Sequence, residues 1–110
     1  MEIKTEKWLD YEIRFVEIDN EWWAVAKDVC DALEHSNHRM AIRNLDADEK
    51  GVSIVYTRGG EQEMLVVSEI GIYELVIKSR KKEAKAFKKW VKQLLKQLRQ
   101  QSGLERFQVF

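Results

Sequence analysis

The chain has no proline, a single cysteine and only five glycines among its 110 residues. Without proline, and with glycine this scarce, it shows no rigid or flexible linker, no low-complexity segment and no internal repeat. Cys30 stands alone, so no disulfide can form within the chain, which fits a reducing compartment such as the cytoplasm. No apolar run approaches the roughly 20 residues of a membrane span. The longest lies around Leu65–Val67. The N-terminus, MEIKTEKWLDYEIRF, is charged throughout and does not read as a signal peptide.

Metal and nucleophile chemistry is equally thin. Cys30, His35 and His38 lack the CxxC or HxxxH spacing of common zinc sites, and no second ligand cluster accompanies them. Cys30 reads as a small core residue, buried, reduced and unligated. Asp46, Asp48 and Glu49 occupy a polar turn where exposed acids belong. Nothing resembles a nucleophile elbow, and Arg58-Gly59-Gly60 is too short for a phosphate loop. No enzyme activity and no cofactor are therefore expected.

What is present is the composition of one globular domain over residues 1–110: 45% hydrophobic and 35% charged. The net charge of zero hides a polarised chain. Residues 1–77 hold 17 acidic and 8 basic residues, a net of −9; residues 78–110 hold 2 acidic and 11 basic, a net of +9. Such segregation steers a partner more than the sum does.

Tyr11–Ile18 alternates Tyr11, Ile13 and Phe15 with Glu12 and Arg14, the period of a strand. Asp19-Asn20 is a tight-turn signal, and Trp22–Val25 is a second strand, so the two form a hairpin. A helix follows over about Ala26–Glu34, then a turn at His35-Ser36-Asn37. A second helix runs from His38 to about Leu45, capped by Ser36 or Asn37. Val52–Thr57 and Glu61–Val67 form another hairpin across Arg58-Gly59-Gly60. Ser68 opens a helix through Lys78, and Ser79 caps a last one over about Arg80–Gln100. The tail Leu104–Phe110 alternates like a strand. The expected fold is α+β: a small antiparallel sheet from the N-terminal and central hairpins, carrying a helix pair and two C-terminal helices, in the manner of a winged helix. Trp23, Val25, Leu33, Ile42, Ile54, Val66, Tyr73, Leu75, Phe87, Val91 and Leu94 are the expected core.

The helix pair Val25–Leu45 has the pattern of a helix-turn-helix, whose second helix enters the major groove. Asn37 and His38 sit at its start. Arg39 and Arg43 are spaced i,i+4 and share a face, and a guanidinium fork can grip guanine or phosphate with two bonds. The hairpin tipped by Arg58 would then act as a wing on phosphates. On the last helix Lys85, Lys89, Lys92 and Lys96 lie nearly opposite the stripe Phe87–Val91–Leu94–Leu98, a row that could follow a phosphate backbone. Each feature also has a plain reading as a solvated surface.

Taken in order, several segments resemble the Bro-N domain, the N-terminal module of baculovirus-repeat-type proteins and of many phage and prophage antirepressors. They are Trp23-Ala24-Val25-Ala26-Lys27-Asp28-Val29, Leu33, Ser36-Asn37, Leu45-Asp46, Glu49-Lys50-Gly51 and Gly59-Gly60-Glu61-Gln62. Two longer ones follow: Ser68-Glu69-Ile70-Gly71-Ile72-Tyr73-Glu74-Leu75 and the run from Ser79 to Val91, SRKKEAKAFKKWV. Together they span about residues 11–100. The resemblance implies a DNA-binding regulatory module in a bacterial host cell, usually followed by a second, variable domain, with no catalytic residues to transfer. The family's usual proline near the end of the last helix is replaced here by Lys96-Gln97-Leu98, so that helix is expected to run longer. Double-stranded DNA is the expected partner, contacted by Asn37, His38, Arg39, Arg43, Arg58, Lys85, Lys89 and Lys92. The alternative is a module that docks on a repressor or host factor without touching DNA. A homodimer is a further possible partnership; no membrane and no small-molecule substrate are expected.

Overall fold

The computed structural model describes residues 2–101. The strand-like tail expected at Leu104–Phe110 lies outside them.

The N-terminal hairpin is a three-stranded meander. β1 (Ile3–Trp8) precedes β2 (Tyr11–Ile18) and β3 (Glu21–Val25). β1 escapes a periodicity reading because Lys4, Glu6 and Lys7 dominate it. Asp19 and Asn20 both adopt positive φ, 50° and 67°, the pairing of a type I′ turn that suits the right-handed twist of the flanking strands. α1 (Ala26–Ala32) and α2 (His38–Arg43) follow, then a single 3₁₀ turn at Ala47–Glu49. β4 (Lys50–Thr57) and β5 (Gly60–Val67) form the second hairpin, where Gly60 takes the positive φ, 101°. α3 (Glu69–Ile77) and α4 (Ala84–Gln101) complete the described chain. The fold is α+β, with all five strands in one antiparallel sheet of order β1-β2-β3-β5-β4.

Local chemistry sets the helix limits. The Asn37 side chain caps α2 by accepting from the Met40 amide at 3.1 Å, and Ser68 caps α3 by accepting from the Gly71 amide at 3.1 Å. Ser79 does not open α4 directly. Its hydroxyl accepts the Lys81 amide at 3.1 Å and donates to the Leu33 carbonyl at 3.0 Å, fixing a turn that delays the helix to Ala84.

One face of the sheet carries the helices. Ile13, Phe15, Trp22, Ala24 and Val67 meet Val29, Leu33, Ile42, Leu75, Phe87, Val91, Leu94 and Leu98 there. The stripe expected on the last helix is buried as drawn. The other face closes on itself. Val16 and Val25 form a second cluster with Val55 of β4, flanked by Ile3, Ile18 and Met64. In a flat sheet β2 and β4 would stand three spacings of about 4.8 Å apart. Instead the hairpin tip, Tyr56–Arg58, shares a depression with Thr5, Glu12 and Arg14 of β1 and β2. β5 pairs with β3 over only two positions, Ala24↔Val67 and Val25↔Val66, and the hairpin then curls over the second face.

This curl corrects three members of the expected core. Ile54 is exposed at 45%, while its neighbours Ser53 and Val55 point inward. A period-two element read one residue out of phase exchanges its whole inner set. Trp23 is half-buried and Trp22 takes the place under the helices, because β3 is covered on both faces. Tyr73 is also half-buried, packed at the core's rim.

Candidate nucleic-acid interface

α2 and the second hairpin flank a groove of about 610 Å3. Its floor is apolar, made by Val25, Ile42, Met64 and Leu65. Its walls carry Lys27, His38, Arg39, Arg43 and Lys50, with Glu63 the one acid lining it. The helical spacing of Arg39 and Arg43 puts both on the wall that faces the hairpin, and both side chains are exposed to a ligand. Four of the eight cations in the acidic first 77 residues meet in this groove, so a linear charge tally conceals it.

The groove is held by contacts between its walls. The Lys50 ammonium donates to the Ile42 carbonyl at 3.3 Å and the Arg43 carbonyl at 3.1 Å, closing the C-terminal end of α2 and complementing its dipole. His38 Nε2 lies 3.2 Å from Asp31 Oδ1, tying the start of α2 to α1. His35 Nε2 meets the Leu75 carbonyl at 2.9 Å, which anchors the intervening turn on α3. Lys27 and Lys50 are site residues that sequence reasoning missed. Lys27 belongs to the first helix of the pair and Lys50 to the strand entry, and neither position distinguishes it from an ordinary surface lysine.

The other expected residues are placed elsewhere. Asn37 is occupied in capping α2 and lines a separate depression with Glu34, His35, Met40, Lys78 and Arg80. Arg58 lines the depression at the hairpin tip, beside Glu12, Arg14 and Asp28, which shares no lining residue with the groove. Lys85, Lys89 and Lys92 are exposed on α4 and line no part of the groove; the Lys92 ammonium sits 5.9 Å from the Tyr73 ring centre.

Among the described residues, no group of three or more His, Cys, Asp or Glu side chains is placed to hold a metal ion. Cys30 is fully buried on α1, and burial, aided by Asp31, pushes its thiol up to about 11. No helix is long and apolar enough to cross a membrane among the described residues.

Comparison with known proteins agrees with this arrangement. A protein from Haemophilus influenzae described as an uncharacterized protein is 34% identical over 103 residues, covering 90% of this chain and 51% of that protein. The chain thus spans about half the length of this curated relative. No solved structure matches. Residues 12–97, from β2 to the last turns of α4, match the family described as BRO family, N-terminal domain, and the chain belongs to that family.

Proposed function

We propose that this chain is a non-catalytic, cytoplasmic DNA-binding regulatory domain of phage-antirepressor type that meets duplex DNA at the groove between α2 and the β4–β5 hairpin. The observation that carries this reading is the convergence of Lys27, Arg39, Arg43 and Lys50, with His38, around one acid. Family membership supports it. In this reading Arg39 and Arg43 approach base edges, because residues of a short helix after a turn are those that reach into the major groove. Lys27 contacts phosphate beside them. Asn37 acts by capping the helix that carries the arginines. Arg58, Lys85, Lys89 and Lys92 supply phosphate contacts that carry no sequence information.

Gel-shift titrations with genomic fragments at two salt concentrations test this. Arg39→Ala or Arg43→Ala should cost about 1–3 kcal/mol on the best fragment and much less on random DNA. Lys85→Ala, Lys89→Ala or Arg58→Ala should weaken all fragments alike and flatten the logarithmic salt slope by about one unit each. Unchanged binding in the Arg39→Ala/Arg43→Ala double variant would remove the groove from the interface.

A second reading, docking on a repressor or host factor, is favoured by the apolar floor of Val25, Ile42, Met64 and Leu65. Binding through that floor would persist at high salt, whereas phosphate contacts weaken steeply.

A further inference from the structure

The two edges of the sheet differ in kind. β1 carries Lys4, Glu6 and Lys7 among its six residues, and Lys4 is engaged by Glu2 and Gln101. Charges of this sort keep a sheet edge from templating another strand. β4 is the opposite edge, and β5 is its one neighbour among the described strands. From Gly51 to Thr57 it reads GVSIVYT, with no charge and no proline. Its outward side chains Val52, Ile54 and Tyr56 are 59%, 45% and 66% exposed, and Leu65, paired with Val52 on β5, is 48% exposed. An uncharged stretch of high β-propensity at a free edge is a ready template for strand addition.

We propose that a second copy of this chain occupies this edge, with β4 pairing antiparallel to itself across a two-fold axis near Ile54. A strand related to itself by such an axis runs antiparallel to its copy, and the interface uses the same patch on both subunits. An axis at Ile54 sets Ile54 against Ile54 of the partner subunit and Val52 against Tyr56 of the partner subunit. Every outward position then meets an apolar one, including the β-branched–aromatic pairs that stabilise sheets. The chain's zero net charge means that two copies meet no overall repulsion. Nucleic acid is a poor occupant here, because Glu63 and Glu61 stand beside Ile54 and Tyr56 on the same face. The dimer joins two five-stranded sheets into one and covers the apolar stripe. It also places two basic grooves symmetrically about the axis, but the pairing stands on the edge chemistry alone and not on DNA binding.

Sedimentation velocity on the full chain over a concentration series gives the first readout. The unaltered chain should dimerise. Ile54→Lys should raise the dimer dissociation constant by about tenfold or more, because it sets two ammonium groups face to face at the axis. Its circular dichroism should match the unaltered chain, since the Ile54 side chain points outward. Ile54→Cys is a second variant that keeps the edge uncharged. Opposed residues on antiparallel strands approach closely enough for a disulfide, so mild oxidation should link two chains. Ile77→Cys, 71% exposed on α3, should not cross-link, and buried Cys30 should stay out of the reaction. A chain that stays monomeric at every concentration would overturn the proposal, whether the edge is then covered by the chain itself or by a peptide of another protein. Dimers that survive Ile54→Lys would overturn it too, as would cross-linking of Ile77→Cys as efficient as that of Ile54→Cys.

Discussion

Asp28 shows how one residue settles several accounts. β2 runs past its last pair with β3, Phe15↔Ala24, so the Arg14 amide has no strand partner on that side. Asp28, on α1, supplies one. Its carboxylate accepts from the Arg14 amide at 3.0 Å, from Nε at 2.8 Å and from Nη2 at 2.9 Å. Those bonds raise the Arg14 pKa above its ordinary value. The pair joins the first helix to the meander in a setting where Asp28 is 9% exposed. Removing one partner of such a pair leaves the other desolvated and unmatched. Asp28→Ala should therefore lower stability by about 3 kcal/mol, read as a shift in the urea midpoint. A loss no larger than that of Asp48→Ala, an exposed acid, would show that solvent replaces the pair. Glu34 works by similar means at the surface, where Lys81 and Tyr11 hold its carboxyl below the usual carboxylate range.

Between elements, the tightest approach is that of α3 to the 3₁₀ turn. A Cβ at Gly71 would lie 2.6 Å from the Glu49 carbonyl oxygen, a backbone atom that cannot swing away. The same carbonyl accepts the Ser68 amide at 3.0 Å, so the helix start and the turn are bonded where they touch. Gly71 is thus required by contact, since no positive φ demands it. Gly71→Ala should improve helix propensity yet destabilise the fold by about 1–3 kcal/mol through overpacking. Thermal unfolding decides between the two effects, and a raised midpoint would mean that α3 can shift without loss. α4 poses the simpler case. Its stripe of Phe87, Val91, Leu94, Leu95 and Leu98 is buried, and Trp8 meets Phe87 edge-on at 4.9 Å between ring centres.

At the scale of the whole molecule, the curl of the sheet decides which residues are core and which are surface. Val55 is fully buried because the hairpin turns its inner face onto Val16 and Val25. Ile54, one residue away, is left for solvent or a partner. Measured at dilution, where any dimer is dissociated, Val55→Ala should cost about 2 kcal/mol and Ile54→Ala well under half of that. Equal losses would mean that the hairpin does not curl as described. The same curl brings β5 alongside α2 and so creates the basic groove from Lys27, Arg39, Arg43 and Lys50.

Much of this was legible in the sequence, because local rules act there. Alternation marked β2, the Asp19-Asn20 turn and both strands of the second hairpin. Capping residues Asn37 and Ser68 marked helix starts, and the spacing from Phe87 to Leu98 marked the buried face of α4. The shared face of Arg39 and Arg43 followed from helical geometry alone, as did the segment order that resembles Bro-N domains. Other features depended on contacts between residues far apart in the chain. β1 is too polar to announce itself and forms by pairing with β2. The phase of β4 was unreadable, since Val52, Ile54 and Tyr56 are more apolar in aggregate than Ser53 and Val55, and only the closing of the sheet on its second face chose between them. Lys27 and Lys50 looked like any surface lysines until the fold set them beside the arginines. Sequence periodicity reports which residues can share a face; which face is covered, and by what, is decided by the packing of elements that no local pattern encodes.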